Sequence, residues 1–368
     1  MNDPRTDGPV RVHFRKGRGV GSNAASRFDA LTREPDREYC EHVALEGDDE
    51  DVHPRTQITV QVARSIISRN ESPDIPFDQS INPYLGCEHG CAYCYARPTH
   101  AYLGLSPGLD FETKIFAKVN AADLLRRELS RSSYVPAHIA LGANTDPYQP
   151  IERKLGITRE ILKVLADFQA PVGITTKSAL VTRDIDILGD MASKGLARVY
   201  LSIGTLDAEL ARTMEPRANS PARRLEAIRR LTDAGVPVGV FTSPLIPGLN
   251  DKDMEQVLDA AAQCGAVHAS YVMLRLPLEV RDIFVEWISE KFPLRAKHVL
   301  SLVNQMHEGR DYDPRFGSRM TGTGQYADMM AQRFKIATLR LGLKTDRTPM
   351  DASQCRVPVV VDGQLPLF

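Results

Sequence analysis

Cys87, Cys91 and Cys94 lie within the stretch GCEHGCAYCYARP and make up half of the six cysteines in the 368-residue chain. Thiols this close in sequence can converge on one metal centre. A [4Fe–4S] cubane has four irons, so C-x3-C-x2-C leaves one iron without a side-chain ligand. That iron is open to a substrate or cofactor, as the fourth position of a catalytic zinc is. Two other arrangements use the same residues. One is a zinc held by the three thiols with His89 or His100; the other is a four-cysteine cluster that recruits Cys40, Cys264 or Cys355. Cys40 and Cys355 fall in terminal tails, and Cys264 falls near a helix end, where a buried free thiol is common.

The elements that must position these thiols become regular from about residue 80. β-rich runs KIFAKV, HIALGA, PVGITTKS, ARVYLSIG, PVGVFTSPLI and ASYVMLRLP alternate with helical runs. The helical runs are AADLLRRELSR, ITREILKVLADF, DIDILGDMASKG, SPARRLEAIRRLTDAG and DMEQVLDAAAQCG, with apolar residues at i, i+3 and i+4. Nearly continuous apolar strands joined by helices imply a parallel sheet. In one unit Ser220 is the expected N-cap, Pro221 the first helical residue and Gly235 the stop before the next strand. The expected fold class is α/β, a partial (β/α)6 TIM-like barrel with extra C-terminal helices. Chemistry in such a barrel sits at the C-terminal strand ends. The expected organisation is a poorly ordered extension over 1–70, a core over 71–310, a helical segment over 311–343 and a tail over 344–368. Within the extension, SRFDAL and QVARSII are the parts that can pack on the core.

C-x3-C-x2-C in a loop that opens a (β/α) barrel, with Tyr93 just before the third cysteine, resembles the radical S-adenosylmethionine (SAM) enzymes. In that family three cysteines hold a [4Fe–4S] cluster, and SAM chelates the fourth iron. One electron cleaves the sulfonium, and the 5′-deoxyadenosyl radical takes a hydrogen atom from substrate. The resemblance implies Cys87, Cys91 and Cys94 as metal ligands and a low-potential donor such as flavodoxin or ferredoxin. CAYCYA, ITTKS, YLSIGT, MEPRANSPARRLEAIRRLTDAG and FTSPLIPGLND are most similar to the spore photoproduct lyase group, a DNA-repair branch. That likeness implies Lys177, Ser202 and Ser243 as SAM contacts, with Glu215 and Pro216 in the matching loop. Thr145 offers a further hydroxyl and Arg217 a bidentate partner for the SAM carboxylate. Tyr93 would sit against adenine, and Tyr95 would border the radical. The lyase group carries a hydrogen-returning cysteine near the position of Ala143, whereas no thiol occurs here between Cys94 and Cys264. Dimer reversal by that route is therefore not expected, and Tyr93 and Tyr95 are the candidate catalytic residues. Asn144, Asp146, Tyr148 and Gln149 are read as groups for substrate or cofactor.

With 46 Lys+Arg against 47 Asp+Glu, global charge argues neither for nor against nucleic acid, and any basic surface must be local. The arginines 223, 224, 229 and 230 share one helix with Glu226 and Asp233 and read as a solvated face. No apolar run approaches a membrane span, and the N-terminus has no apolar h-region, so the reading is cytoplasmic. The C-terminal Gln364, Leu365, Pro366, Leu367 and Phe368 resemble the peptide by which bacterial polymerases and repair proteins dock on the sliding clamp. A terminal strand folded back on the domain is the other reading. Three functions remain open: a radical SAM enzyme on nucleic acid, one on a protein or small metabolite, and a non-enzymatic zinc-binding module.

Overall fold

The structure, a computed structural model, describes residues 18–29, 55–346 and 348–358. The strands in chain order are β1 (Gln57–Gln61), β2 (Ile67–Arg69), β3 (Gln79–Ile81), β4 (Tyr84–Leu85), β5 (Lys114–Lys118), β6 (Ile139–Leu141), β7 (Val172–Thr176), β8 (Ala197–Ser202), β9 (Val238–Leu245) and β10 (His268–Met273). The main sheet runs β10-β9-β8-β7-β6-β3-β2. β2 is antiparallel to β3, and the remaining neighbours are all parallel. Helices Ile157–Asp167, Ile185–Ser193, Pro221–Asp233 and Met254–Gln263 connect β6 to β10 in turn. This is the expected α/β architecture, a partial barrel of six parallel strands.

KIFAKV is not one of those six. As β5 it pairs with β1 and β4 in a separate three-stranded sheet. The first barrel strand is β3, QSI, whose sequence conceals it. Gln79 and Ser80 are buried polar residues, and Gln79 is held by the Val135 carbonyl at 2.9 Å and the Tyr134 hydroxyl at 3.0 Å.

The helix Pro221–Asp233 ends as the sequence implies. Gly235 takes φ +76°, and Val236 N–H bonds the Leu231 carbonyl at 3.0 Å, a left-handed cap that only glycine adopts without strain. Ser220 occupies the N-cap, but its hydroxyl makes no capping bond.

The two faces of the sheet differ. Val172, Ile174, Val199, Leu201, Val238 and Val240 point to the helices and are fully buried in one core cluster. Each contributes about 1.5–3 kcal/mol by leaving water. The alternate residues Thr175, Arg198, Tyr200, Phe241 and Ser270 line the lumen and are only partly buried. The strands therefore alternate where the sequence suggested nearly continuous apolar runs.

After β10, helices Val280–Lys291 and Pro293–Met306 build a second cluster around Trp287, Phe284 and Val299. Cys91, Tyr93 and Leu274 belong to the same cluster, so these helices support the cysteine loop from outside the barrel. Helix Gly324–Leu341 then packs on Met254–Gln263 through the Arg333–Glu255 pair at 2.7 Å.

The reading of 1–70 as a poorly ordered extension is corrected for three pieces. Residues 57–61 form β1, residues 18–29 run from Gly90 in the cysteine loop along Leu109–Thr113 to Glu279, and residues 67–69 form β2. Charge satisfaction explains the second: Arg18 donates to the Glu112 carbonyl at 2.8 Å, and Gly19 N–H to the Glu112 carboxylate at 2.9 Å.

Candidate functional site

Cys87, Cys91 and Cys94 lie between β4 and a short 3-10 helix, Arg97–Leu103. All three thiols are free; Cys87 and Cys91 are buried and Cys94 is partly exposed. Cys94 packs against the groups around both Cys87 and Cys91. Burial, with Asp146 and the neighbouring Cys91 and Cys94, pushes the Cys87 thiol well up; burial and Glu215 push Cys91 up to about 12 despite Lys177. Such thiols become good ligands once a metal replaces their protons. Among the described residues no three of His, Cys, Asp and Glu converge as they would on one ion. Thiolates that bind three different irons need not meet at one point.

The loop is clamped from below by Arg97, which is fully buried. Its guanidinium donates to the carbonyls of Cys91 at 2.9 Å, Pro107 at 3.1 Å and Gly108 at 2.9 Å, and pairs with Glu112 at 2.5 Å. From the N-terminal side, Gly19 approaches Gly90 so closely that a Cβ at Gly19 would lie 1.4 Å from the Gly90 carbonyl oxygen. Only glycine fits there.

The end of β6 clamps the loop from the barrel side. Thr145 Oγ1 donates to the Gly86 carbonyl at 2.6 Å. Gln149 bonds both Gly86 O at 3.2 Å and Glu88 N at 2.9 Å. Asp146 accepts from Thr176 Oγ1 and Lys177 N, both at 2.7 Å, and lies 3.3 Å from His89 Nδ1. Burial alone would raise this carboxyl, but His89 and those donors bring it down to about 2. Tyr148 is fully buried on Asp184 at 3.1 Å. The stretch read as a substrate binder is largely a brace, so that reading of Asp146, Tyr148 and Gln149 is corrected.

On the opposite side a charged group faces the thiols. The buried Tyr93 hydroxyl bonds Glu215, which pairs with Arg224, itself bonded to Ser202 O and Asn219 O at 2.7 Å. Arg224 is 2% exposed, so the solvated-face reading fails for it. It shares a helix face with Ala227, Ile228 and Leu231, a spacing that marks the inward stripe. Lys177 Nζ stands 5.9 Å from the Tyr93 ring centroid. Burial depresses its ammonium, and Cys91 and Glu215 more than restore it, so its pKa ends raised. For Glu215 burial works upward, and Arg224 and Lys177 prevail to hold it low.

The other expected residues divide. Ser202 Oγ donates to the Ser243 carbonyl at 3.1 Å. Among the described residues the buried Ser243 Oγ, near the β9 end, has no protein partner; Thr242 Oγ1 has none either, but it lies on the other face of β9 with Val238 and Val240. Arg217 pairs with Glu88 at 3.0 Å and bonds His89 O, so it braces the loop. Tyr95 is half exposed, and its hydroxyl bonds the Ala143 carbonyl. His100 is buried on the Lys114 carbonyl at 3.0 Å between Phe111 and Phe116, and His89 faces Asp146. Neither stands as a fourth ligand. Cys264 and Cys355 lie on other elements, and Cys40 and the clamp-like peptide lie outside the described residues. The donor set therefore fits a cluster with an open iron better than zinc: three thiols without a disulfide and, among the described residues, an ammonium in no ion pair and the unpartnered Ser243 hydroxyl. Sequence reasoning missed Arg97, Glu112 and Arg18, which carry no motif.

No helix among the described residues is long and apolar enough to cross a membrane. The Radical SAM superfamily profile matches residues 81–261. The uncharacterised protein Rv2578c of Mycobacterium tuberculosis is 33% identical over 289 residues, which cover 77% of this chain and 81% of that one. The FeMo cofactor biosynthesis protein NifB of Klebsiella pneumoniae is 31% identical over 197 residues, 49% of this chain and 39% of that one. Spore photoproduct lyase complexed with dinucleoside spore photoproduct has a similar fold, with TM-score 0.56 and 18% identity, over 78% of this chain and 80% of that one. The chain belongs to the radical SAM superfamily, as an enzyme whose cofactors are a [4Fe–4S] cluster and SAM and which needs a reductant.

Proposed function

We propose that Cys87, Cys91 and Cys94 hold the cluster, that SAM is cleaved reductively beside them, and that the substrate is a nucleic acid undergoing repair or modification. When bound, the two cofactors supply a 5′-deoxyadenosyl radical able to take a hydrogen atom from a substrate carbon. The observation that carries the reading is the set of three thiols without a disulfide in one loop, with the Lys177 ammonium close enough to act on Cys91 and, among the described residues, in no ion pair with a carboxylate. Lys177 would meet the SAM carboxylate, and Ser243 a polar group of the same cofactor. Ser202 holds the β9 edge in place. Thr145 and Arg217 fix the loop instead of touching the cofactor. Tyr93, tied to Glu215, orients the loop from within the core. Tyr95 reaches the mouth at Ala143, near where the lyase group carries its cysteine, and is the group placed to exchange a hydrogen atom with a product radical.

A nucleic-acid substrate is supported by the fold shared with a lyase bound to a dinucleoside photoproduct. The clamp-like Gln364, Leu365, Leu367 and Phe368 add a second pointer to DNA. The core over 71–310 would work in the cytoplasm with flavodoxin or ferredoxin as electron source. The partly exposed pair Tyr200 and Phe241, whose rings stack 4.6 Å apart, favours a small metabolite or a protein side chain as the second reading. Labelled SAM incubated with separated nucleic-acid, protein and metabolite fractions of an extract distinguishes the two by which fraction gains product.

The cofactor assignment is tested on anaerobic, reduced protein by chromatography of 5′-deoxyadenosine. Ala at Cys87, Cys91 or Cys94 should abolish its formation; Ala at Cys40, Cys264 or Cys355 should leave it intact. An essential cysteine among the latter group overturns the assignment.

A further inference from the structure

Beside the cysteine loop the rim of the barrel carries aromatic surface and a cation that the site does not consume. Arg275, two residues past the end of β10, lies with its guanidinium carbon 4.8 Å from the centroid of the Tyr95 ring. It is partly exposed, and among the described residues no carboxylate pairs with it. Nearby, Arg27 lies 4.5 Å from the Phe28 ring centroid and 5.0 Å from that of Tyr102, and the two rings are 5.4 Å apart. Tyr102 is 74% exposed and Phe28 55%. Two short stretches of chain connect these groups. Tyr102 sits on the 3-10 helix that follows Tyr95, and Arg27 is bound by Glu279, four residues after Arg275, at 2.7 Å. Leu278, between them, is 60% exposed.

Exposed rings cost free energy in water, and Arg27 is already neutralised by Glu279. That leaves Arg275 as the charge still unmet, with flat apolar faces beside it. Stacking faces plus an unpaired guanidinium match the chemistry of single-stranded nucleic acid, whose bases stack on aromatics while phosphates seek cations. A paired duplex hides the faces of its bases, so it cannot use Tyr102 and Phe28 in this way.

We propose that the rim formed by Tyr95, Arg275, Phe28 and Tyr102 binds a single-stranded or splayed nucleic-acid segment next to the reaction centre. Arg275 takes a phosphate, and Tyr102 with Phe28 stacks a neighbouring base. This rests on the nucleic-acid reading above and specifies its form.

The test is fluorescence anisotropy of a labelled oligothymidylate with the full-length, cluster-loaded protein under anaerobic conditions across a salt series. Wild type should bind in a salt-dependent way. R275Q should weaken binding and lower the log–log salt slope by about one. Y102A should weaken binding about 5- to 150-fold while leaving the slope unchanged, as loss of a stacking face does. Circular dichroism and cluster absorbance show that each variant is folded and loaded. Absence of binding by wild type, unchanged affinity in both variants, or equally tight binding of a duplex overturns the proposal. Deoxyadenosine formation is read on the same wild-type preparation. If it persists without oligonucleotide binding, the rim assignment fails and the radical chemistry stands; if it is absent, the cofactor reading fails.

Discussion

Two polar clusters touch the cysteine loop, and they are built on opposite terms. Under the loop, Arg97 spends its guanidinium on the carbonyls of Cys91, Pro107 and Gly108 and on Glu112, which also receives Gly19 N–H. Across the loop, the thiols form no disulfide, and among the described residues Lys177 Nζ meets no carboxylate and Ser243 Oγ is orphaned. Buried polar groups without partners cost free energy, so most are satisfied. A satisfied cluster can serve as scaffold with nothing bound. An unsatisfied one persists where a ligand brings the missing partners.

The contrast makes predictions that run from stability to binding. The largest concerns the scaffold. Arg97→Met leaves Glu112 buried without its partner and should cost about 3–5 kcal/mol in chemical denaturation of the metal-free protein. Iron retention should fall with it. Unchanged stability would place Arg97 outside the scaffold and dissolve the contrast. On the other side, Lys177→Met should spare folding yet weaken SAM binding by about 1.5–3 kcal/mol, read by anaerobic calorimetry. A stability loss as large as that of Arg97→Met would make Lys177 structural. The smallest effect belongs to Ser243→Ala. Its hydroxyl has no protein partner among the described residues, so denaturation should not change while SAM affinity drops by about 0.5–1.5 kcal/mol. An unaltered SAM affinity would remove Ser243 from the site.

The sequence carries the unsatisfied side better than the satisfied one. Three cysteines in one loop, Lys177 at the β7 end and Ser243 near the β9 end are readable because ligands come from few residue types at fixed strand positions. The braces are not readable, because Arg97, Glu112 and Gln149 act through main-chain carbonyls and amides contributed by distant segments. Thr145 and Arg217 have the chemistry of cofactor contacts, and only the fold turns them toward the loop. Arg224 looked like one of a group of surface arginines, although its place on the stripe of Ile228 and Leu231 already pointed inward. The helices and five of the six barrel strands follow from periodicity. β3 did not, because three residues with two polar side chains give no apolar signal, and KIFAKV drew attention to a strand outside the barrel.

The central claim is that three side-chain thiolates hold the cluster while one iron stays open for SAM. Electron paramagnetic resonance of the anaerobic, reduced full-length protein, recorded before and after SAM is added, tests it most directly. The account predicts a [4Fe–4S]+ signal that shifts when SAM is added. A signal indifferent to SAM, or equimolar zinc with no labile sulfide in the same sample, would contradict it.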